Sequence, residues 1–502
     1  MKANKKTIWA LVALTVVGSL SSCTKNFDSI NTDPNNPTEV PTSYLLTGAQ
    51  KGLMDNTWDA FWGAQVGNQL AQYWASNQYA SESRYQFRTG VTNGYWGLLY
   101  AGGSNDAGYQ VGGLKELQDI IDLCEATPDK YAQYGDPNNQ IAVATTLKCW
   151  AMQMITDTWG DVPYSEALGG VANTQPKYDS QREIYLGLMS DINQAISLIN
   201  ESESGPQGDI IYSGDMSAWR RFANSLKMRI AMRMADREPA MAATAIQEAV
   251  TDGVMQSNAD NALFHYLGAE PNFSLYYFNY AMDGRNDYAA SNVMVDVLAA
   301  LNDPRMSEYY APAASSGEFV GEIYGQTDAD AASTPDEDVS QRSEKVLSAD
   351  LPGIYMDYAE TCFILAEAVK RGMIGGDAAE YYNNGISASF EYWGAGDASS
   401  YISQPTVDYA TLEANGDSYK QIIGKQKWIA LYMQGLQGWA EYRRLDFGIL
   451  QLPAGGSLDG AGIPFRMRYP IDEQTLNGGS YSNAVSNQGP DTHDTRLWWD
   501  VN

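Results

Sequence analysis

Three carboxylates lie close together in residues 157–168, which read DTWGDVPYSEAL. Asp157 and Asp161 flank Trp159-Gly160, and Glu166 follows shortly after. Two carboxylates beside an aromatic ring could act as the acid and the base of a glycosidase if both face one cleft at a set separation. Sequence spacing alone does not establish that separation. The alternative is the end of a helix and the loop after it.

The elements around these acids favour the architectural interpretation. Apolar residues recur at three-to-four spacing from Ile141 to Thr158, which predicts a helix that runs into Trp159. Gly160 is a natural left-handed stop, and the proline after it prevents the helix from continuing. Asp157 then lies in the last turn, where a carboxylate opposes the helix dipole. We therefore expect a partner to hold it, such as an arginine or a loop amide.

The rest of the chain is predicted to be all-α. Apolar stripes at helical spacing recur at 184–199, 222–234, 294–301 and 429–442, and each is typical of a helix face in a core. Residues 358–393 predict one helix that ends near Gly372 and a second that begins near Asp377. This segment resembles a tetratricopeptide helix pair. Similar pairs are predicted for 97–124 with 139–159 and for 181–200 with 215–236.

Long irregular stretches separate the predicted helices. They cover residues 255–290, 311–352 and 445–502, and a short hairpin is expected around 319–325. Loops of this length are uncommon unless they have a function. We predict a tetratricopeptide-like helical-pair scaffold that carries a long irregular loop layer.

Composition excludes several classes of function. The chain has 502 residues and a formal charge of −29, which disfavours nucleic acids and anionic lipids as partners. His265 and His493 are the only histidines, so a His-based triad or a multi-His metal site is nearly excluded. No CxxC spacing occurs. Pairing of Cys124 with Cys149 stays open.

The N-terminus has the pattern of a targeting segment. Lysines, a short apolar run and small residues lead to Cys23 within MKANKKTIWALVALTVVGSLSSC, which indicates a secretory signal. Leu20-Ser21-Ser22-Cys23 resembles a bacterial lipobox, which implies cleavage before Cys23 and lipidation of that residue. We expect a signal peptide at 1–22, a lipidated tether at 23–42 and a single helical domain at 43–502.

Several motifs together resemble the SusD/RagB family of surface nutrient-binding lipoproteins. The resemblance extends from Cys23 to about Ala484, and its motifs come in the family's order. They are INTDPNNPTEVP (30–41), DTWGDVPYSEAL (157–168), LNDPRMSEYY (301–310), the tetratricopeptide-like AEAVKRGMIGGDAAEYYNNGI, KWIALYMQGLQGWAEYRRL (427–445) and IPFRMRYPIDEQTLN (463–477).

The resemblance implies a binding protein without catalytic residues or cofactors. SusD-like proteins cap a SusC-like TonB-dependent transporter in the outer membrane and capture an oligomeric nutrient. The cargo is a glycan in many cases and a peptide in some, and aromatic loops favour a glycan slightly. The alternatives that remain are an oligopeptide-binding lid, an all-α surface glycoside hydrolase and a scaffold that binds only proteins.

Ligand contacts are inferred from residue types, because the family motifs do not carry them. Sugar rings stack on aromatic side chains, and polar side chains bond their hydroxyls. Two stretches mix these types away from the helical stripes, and we expect them to converge on one site. The candidates are Trp74, Tyr79, Arg84, Tyr85 and Arg88 in 72–90, and Tyr276, Tyr277, Tyr280, Arg285 and Asn286 in 273–287.

A calcium site is conceivable at Asp33-Pro34-Asn35-Asn36 or around Asp283, Arg285 and Asp287. Neither has the spacing of an EF-hand loop. We therefore predict no metal site.

Overall fold

Helices dominate the structure, as the apolar stripes predict. The computed structural model describes residues 40–502. In chain order, helices α1 to α20 are Thr42–Asp55, Thr89–Ala101, Leu114–Ala126, Pro128–Tyr131, Pro137–Trp159, Gln181–Leu198, Met216–Arg233, Pro239–Asp252, Leu275–Tyr277, Asn292–Ala300, Met306–Tyr309, Asp328–Ala331, Tyr358–Lys370, Ala378–Trp393, Ser399–Ile402, Tyr409–Ala414, Tyr419–Ala430, Gly435–Leu445, Ile471–Leu476 and Gly478–Gln488. Two π-helical stretches span Trp62–Asn68 and Phe278–Met282.

The strands are short, and they form five separate antiparallel pairs within residues 40–502. Strands β1 to β10 are Trp74–Ser76, Gly103–Ser104, Gln110–Val111, Val162–Pro163, Tyr178–Asp179, Ala262–Phe264, Tyr288–Ala290, Tyr310–Ala311, Gln341–Arg342 and Gly353–Met356. The pairs are β1 with β7, β2 with β3, β4 with β5, β6 with β10, and β8 with β9. The prediction of an all-α scaffold is confirmed, because the strands are short, form only two-stranded pairs and build no larger sheet among the described residues.

Stacked helix pairs form the scaffold. Helix α5 packs on α6, α7 on α8, α13 on α14, and α17 on α18. The pair α13–α14 is the one that resembles a tetratricopeptide. Its second helix begins after Asp377, whose side chain accepts a hydrogen bond from the amide of Ala379 at 2.9 Å. Stacking against its neighbours lets each pair bury an apolar face that an isolated pair would leave exposed.

Two of the predicted elements are wrong. Residues 97–124 are not one helix, because α2 ends at Ala101 and the β2–β3 hairpin precedes α3. Gly102 and Gly103 have φ values of 71° and 149°, which end the helix. Residues 319–325 form no hairpin, and only Glu322 makes an isolated bridge to Ser291.

Residues 42–502 form one compact unit. No helix in residues 40–502 is long and apolar enough to cross a bilayer. The predicted signal peptide, Cys23, most of the tether and the first conceivable calcium site lie outside the described residues.

Candidate functional site

The two aromatic stretches lie side by side in the structure. Strand β1 pairs with β7 so that Trp74 faces Ala290 and Ser76 faces Tyr288. The pairing extends by one further bond, in which the amide of Asn77 donates to the carbonyl of Asp287 at 3.1 Å. The chain that leaves β1 and the chain that enters β7 therefore emerge at the same edge.

An exposed tyrosine and a fixed arginine stand at this edge. The side chain of Tyr79 is 60% exposed, and the guanidinium of Arg285 lies 5.5 Å from the centre of its ring. Asp287 holds Arg285 through its Oδ2, at 2.8 Å from Nε and 2.6 Å from Nη2. A ring that is exposed and backed by a cation suits stacking against a ligand.

Backbone strain is concentrated in the segment that carries this tyrosine. Gln72, Tyr79 and Tyr85 have φ values of 58°, 53° and 71°, in the left-handed region that bulky residues rarely adopt. Contacts from distant parts of the chain hold the segment; for example, the amide of Ala80 donates to Oδ1 of Asp328 at 2.6 Å. Strain of this kind is often found at ligand sites, because the surrounding structure must enforce it.

Arg342 supports the second exposed tyrosine from below. Its buried guanidinium lies 5.3 Å from the Trp74 ring, 5.6 Å from the Tyr280 ring and 5.8 Å from the Tyr288 ring. It also donates to Oδ1 of Asn286 at 2.7 Å. Tyr280 is 43% exposed, so Arg342 positions one aromatic and one amide candidate at the surface.

Three of the aromatic candidates are interior. Trp74, Tyr85 and Tyr276 are almost fully buried. Trp74 donates from Nε1 to the hydroxyl of Tyr432 at 3.0 Å, and Asn68 donates to the hydroxyl of Tyr276 at 3.2 Å. These rings support the exposed surface and do not line it in this conformation.

Two more candidates make contacts within the loop layer. Arg84 donates to the carbonyls of Gly455 at 2.7 Å and Gly456 at 2.9 Å, which joins the early segment to the C-terminal loop. Tyr277 is half-buried and lies 6.1 Å from the Phe273 ring. The surface set is therefore narrower than the sequence predicted.

A groove opens beside Tyr79. It has a volume of about 540 Å³ and lies between the segment after β1 and the segment that begins with α12. Arg88 reaches across one wall and donates from Nε to Oε1 of Glu82 at 2.7 Å. The polar and aromatic side chains that line it include Asn77, Tyr79, Glu82, Arg88, Asp328 and Asp336. One wall of the groove is acidic and contains Asp328 and Asp336. The sequence did not predict this acidic wall, because the two aspartates come from a loop far along the chain.

A buried glutamate lies behind this wall. Glu322 is 1% exposed, accepts a hydrogen bond from Gln326 and has no partner for Oε2. Burial raises its pKa to about 7, and the nearby charge of Asp336 acts in the same direction. This group titrates near neutral pH even though an exposed glutamate does not.

The opening carboxylates have scaffold partners instead of a cleft. Helix α5 ends at Trp159 as predicted, although Gly160 has φ 90° and ψ −119° and is not in the left-handed helical region. Asp157 accepts from Tyr185 at 2.5 Å and from Trp499 at 2.8 Å, and its Oδ2 lies 3.2 Å from Nε of Arg233. Burial raises the pKa of Asp157, and Arg233 opposes that shift.

Asp161 and Glu166 point to different partners. Asp161 is buried, and its Oδ1 accepts the amide of Gln181 at 2.8 Å, at the first turn of α6. Burial raises its pKa to about 6. Glu166 is exposed and accepts the amide of Lys177 at 3.1 Å. The three carboxylates thus have separate structural roles, and the two buried ones are held by scaffold groups.

No group of three or more His, Cys, Asp or Glu side chains within residues 40–502 is arranged to hold a metal ion. At the second conceivable calcium site, Asp287 is instead paired with Arg285. Cys124, Cys149 and Cys362 are free and buried, so Cys124 and Cys149 are not paired in this structure.

Comparison with protein families gives a match over most of the chain. A SusD-like family, described as starch-binding and associating with the outer membrane, matches residues 34–470. A comparison with curated proteins found no match.

Solved structures of three proteins resemble this chain in fold and sequence. One is named a chitin-binding protein, with 26% identity, a TM-score of 0.76 and coverage of 92% of this chain and 100% of its own. A SusD homologue from Bacteroides uniformis has 26% identity, a TM-score of 0.77 and coverage of 91% and 100%. A chitin-binding SusD homologue from Flavobacterium johnsoniae has 25% identity, a TM-score of 0.73 and coverage of 91% and 99%.

Proposed function

The chain belongs to the SusD-like family, and from this membership we propose that it captures an oligosaccharide at the cell surface. The family associates with the outer membrane, and its members are binding proteins. Two of the similar structures carry chitin-binding names, which supports a glycan over a peptide as the ligand.

The two exposed tyrosines carry the proposal. Tyr79 and Tyr280 stand at the edge where β1 and β7 meet, and each ring has an arginine packed against it. Sugar rings present apolar C–H faces to such aromatic rings, while their hydroxyls bond amides and charged groups. Asn286 and the groove side chains supply those polar partners. We propose that this surface and the groove together are the glycan site.

Delivery to a SusC-like TonB-dependent transporter is the second half of the proposal. Family membership supports it, and a lid needs a partner barrel that it can close over. The full-length chain should co-purify with such a transporter from outer membranes solubilised in mild detergent. Recovery of the chain without any TonB-dependent transporter would argue for an independent binding protein.

We also propose that the mature chain begins at lipidated Cys23. A signal peptide at 1–22 and a tether at 23–42 would place the domain at 43–502 beside the membrane without a spanning helix. Mass spectrometry of the N-terminal peptide from purified protein should show an acylated Cys23. An unmodified N-terminus that includes residues before Cys23 would contradict this assignment.

The ligand class is tested by native mass spectrometry. A soluble form that begins at Thr24 is mixed with one pool of oligosaccharides and one pool of oligopeptides. Retained sugars are the expected result. Retained peptides would instead support the oligopeptide-binding lid, and shortened sugars would support the all-α hydrolase.

Site variants then test the location. Tyr79→Ala and Tyr280→Ala should each weaken binding of the retained sugar about tenfold or more, on the order of the loss of one stacking contact. Tyr44→Ala is the matched control, because Tyr44 is a 70% exposed tyrosine on α1. Equal affinities for all three variants would show that the sugar binds at a different place on the protein.

A further inference from the structure

The groove beside Tyr79 holds two carboxylates without a cationic partner. Asp328 accepts the amide of Ala80 at 2.6 Å. Asp336 accepts the side-chain amides of Asn77 at 2.9 Å and Asn286 at 3.0 Å. Within residues 40–502, no ion pair joins either aspartate to a lysine or arginine. Their negative charge therefore faces the groove uncompensated.

The other charges of the lining do not neutralise them. Arg88 is bound to Glu82 at 2.7 Å, so that cation already has an anionic partner. The segment 328–338 adds Asp330, Glu337 and Asp338 close by and contains no basic residue. An anionic sugar would meet repulsion here, whereas a cation would be attracted.

Asn77 provides an independent indication of a ligand that donates hydrogen bonds. It lines the groove and is 3% exposed. Its Nδ2 donates to Asp336, and this fixes the orientation of the amide, because the carboxylate oxygens only accept. The Oδ1 of Asn77 has no hydrogen-bond partner. A buried acceptor in a groove wall is best satisfied by a donor that enters the groove.

The exposed tyrosine adds a third element of the same chemistry. Tyr79 lines the groove, and its ring already attracts the guanidinium of Arg285. The groove thus offers an aromatic face, an acceptor without a partner and carboxylates without a cationic partner. An ammonium group suits all three, because it has three donors, no acceptor and a positive charge. The hexose ring that carries the ammonium supplies the apolar face for stacking.

We propose that the groove prefers an oligosaccharide with free amino groups, such as a partly de-N-acetylated hexosamine chain. This inference rests on the proposed function and deepens it by naming the class of sugar. Uronic and sulfated glycans are disfavoured ligands. The amine binds at Asn77, Asp328 and Asp336, and the ring stacks on Tyr79.

The test compares sugars of one length that differ in charge. Titration calorimetry at low salt should show that partly deacetylated chitooligosaccharides bind at least tenfold more tightly than fully acetylated ones. Oligogalacturonides should bind more weakly than either. The advantage of the amine should shrink as salt rises, because screening weakens a partly exposed charge interaction.

Variants assign the preference to the groove. Asp336→Asn and Asp328→Asn should each remove most of the advantage of the amine, because each removes one of the two groove carboxylates that lack a cationic partner. Glu337→Gln is the matched control, since it removes one charge from the same segment without lining the groove. Cooperative urea unfolding at an unchanged midpoint shows that each variant is folded.

The outcomes separate the two proposals. Equal binding of acetylated and deacetylated sugars by the unmodified protein would overturn the amine preference and leave glycan capture intact. Binding of lysine-rich peptides with no sugar bound would overturn glycan capture itself. An amine advantage that survives in both aspartate variants would place the charged contact outside the groove.

Discussion

Replacing Asp157 by asparagine separates a structural role from a catalytic one. The carboxylate sits at the end of α5 and is almost fully buried. It accepts hydrogen bonds from the hydroxyl of Tyr185 and the indole of Trp499, and it forms an ion pair with the guanidinium of Arg233. An amide has only one acceptor oxygen. In either orientation of the introduced asparagine amide, its NH₂ group would therefore point at one of these N–H or O–H groups instead of accepting from it.

The expected loss follows from the buried charge that remains. Removing one partner of a buried ion pair costs about 3–5 kcal/mol. Arg233 is fully buried but keeps a second carboxylate, because Glu441 lies 3.1 Å from its Nη1. That remaining partner places the loss near the lower limit, at about 3 kcal/mol. A loss of this size is a large share of the stability of an ordinary protein.

Urea unfolding of the soluble form measures the loss, and titration with the retained oligosaccharide measures the binding. Asp157→Asn should unfold at a lower urea concentration and bind with unchanged affinity, because none of its contacts involves the groove. The control Asp122→Asn removes an exposed helix carboxylate on α3 and should change stability by no more than about 0.5 kcal/mol. Lost binding with unchanged unfolding would refute the reasoning. So would glycan cleavage that Asp157→Asn abolishes.

Three further predictions concern packing and protonation. Gly52→Ala should destabilise by about 2 kcal/mol, because a Cβ at this position would collide with the carbonyl of Gly112. Gly97→Ala at an exposed position of α2 should stabilise by about 0.5–1 kcal/mol. Urea midpoints that moved in the same direction would contradict this. Burial raises the pKa of Glu322 to about 7 from 4.5, so the stability that depends on its protonation is lost as pH rises through that range. Glu322→Gln should therefore raise the unfolding free energy by about 1–2 kcal/mol at pH 8 and by little at pH 4, and an equal effect at both pH values would exclude this titration. The three buried thiols should react with a maleimide only after urea unfolds the chain, and fast labelling of the folded protein would contradict their burial.

Local rules were sufficient where one segment determines its own structure. The end of α5 at Trp159 follows from periodicity and a glycine. The end of α13 at Lys370 and the start of α14 after Asp377 follow from Gly372 and a helix cap. These signals act over a few residues, so a single sequence contains them.

Other elements depend on distant contacts and could not be predicted. Helix α20 has the sequence GGSYSNAVSNQ, whose glycines, serines and asparagines are weak helix formers. Gln488 at its end donates to the carbonyl of Trp159 at 3.1 Å, so tertiary contacts overrule propensity there. The split of 97–124 likewise depends on the close approach of Gly112 to Gly52 of α1.

The candidate site was predicted in part for the same reason. The two stretches could be found because aromatic and polar residues cluster in them, and their convergence through β1 and β7 follows from the fold. Residue type does not report burial, so Trp74 and Tyr276 could not be distinguished from the exposed Tyr79. Arg342 and Asp336 lie far along the chain and gave no local signal.

The most direct test is a crystal structure of the soluble form with the oligosaccharide that mass spectrometry retains. We predict a sugar ring stacked on Tyr79 or Tyr280, with polar contacts to Asn286 and the groove wall at Asn77 and Asp336. A sugar bound against the helix pairs, away from β1 and β7, would contradict the assignment of the site.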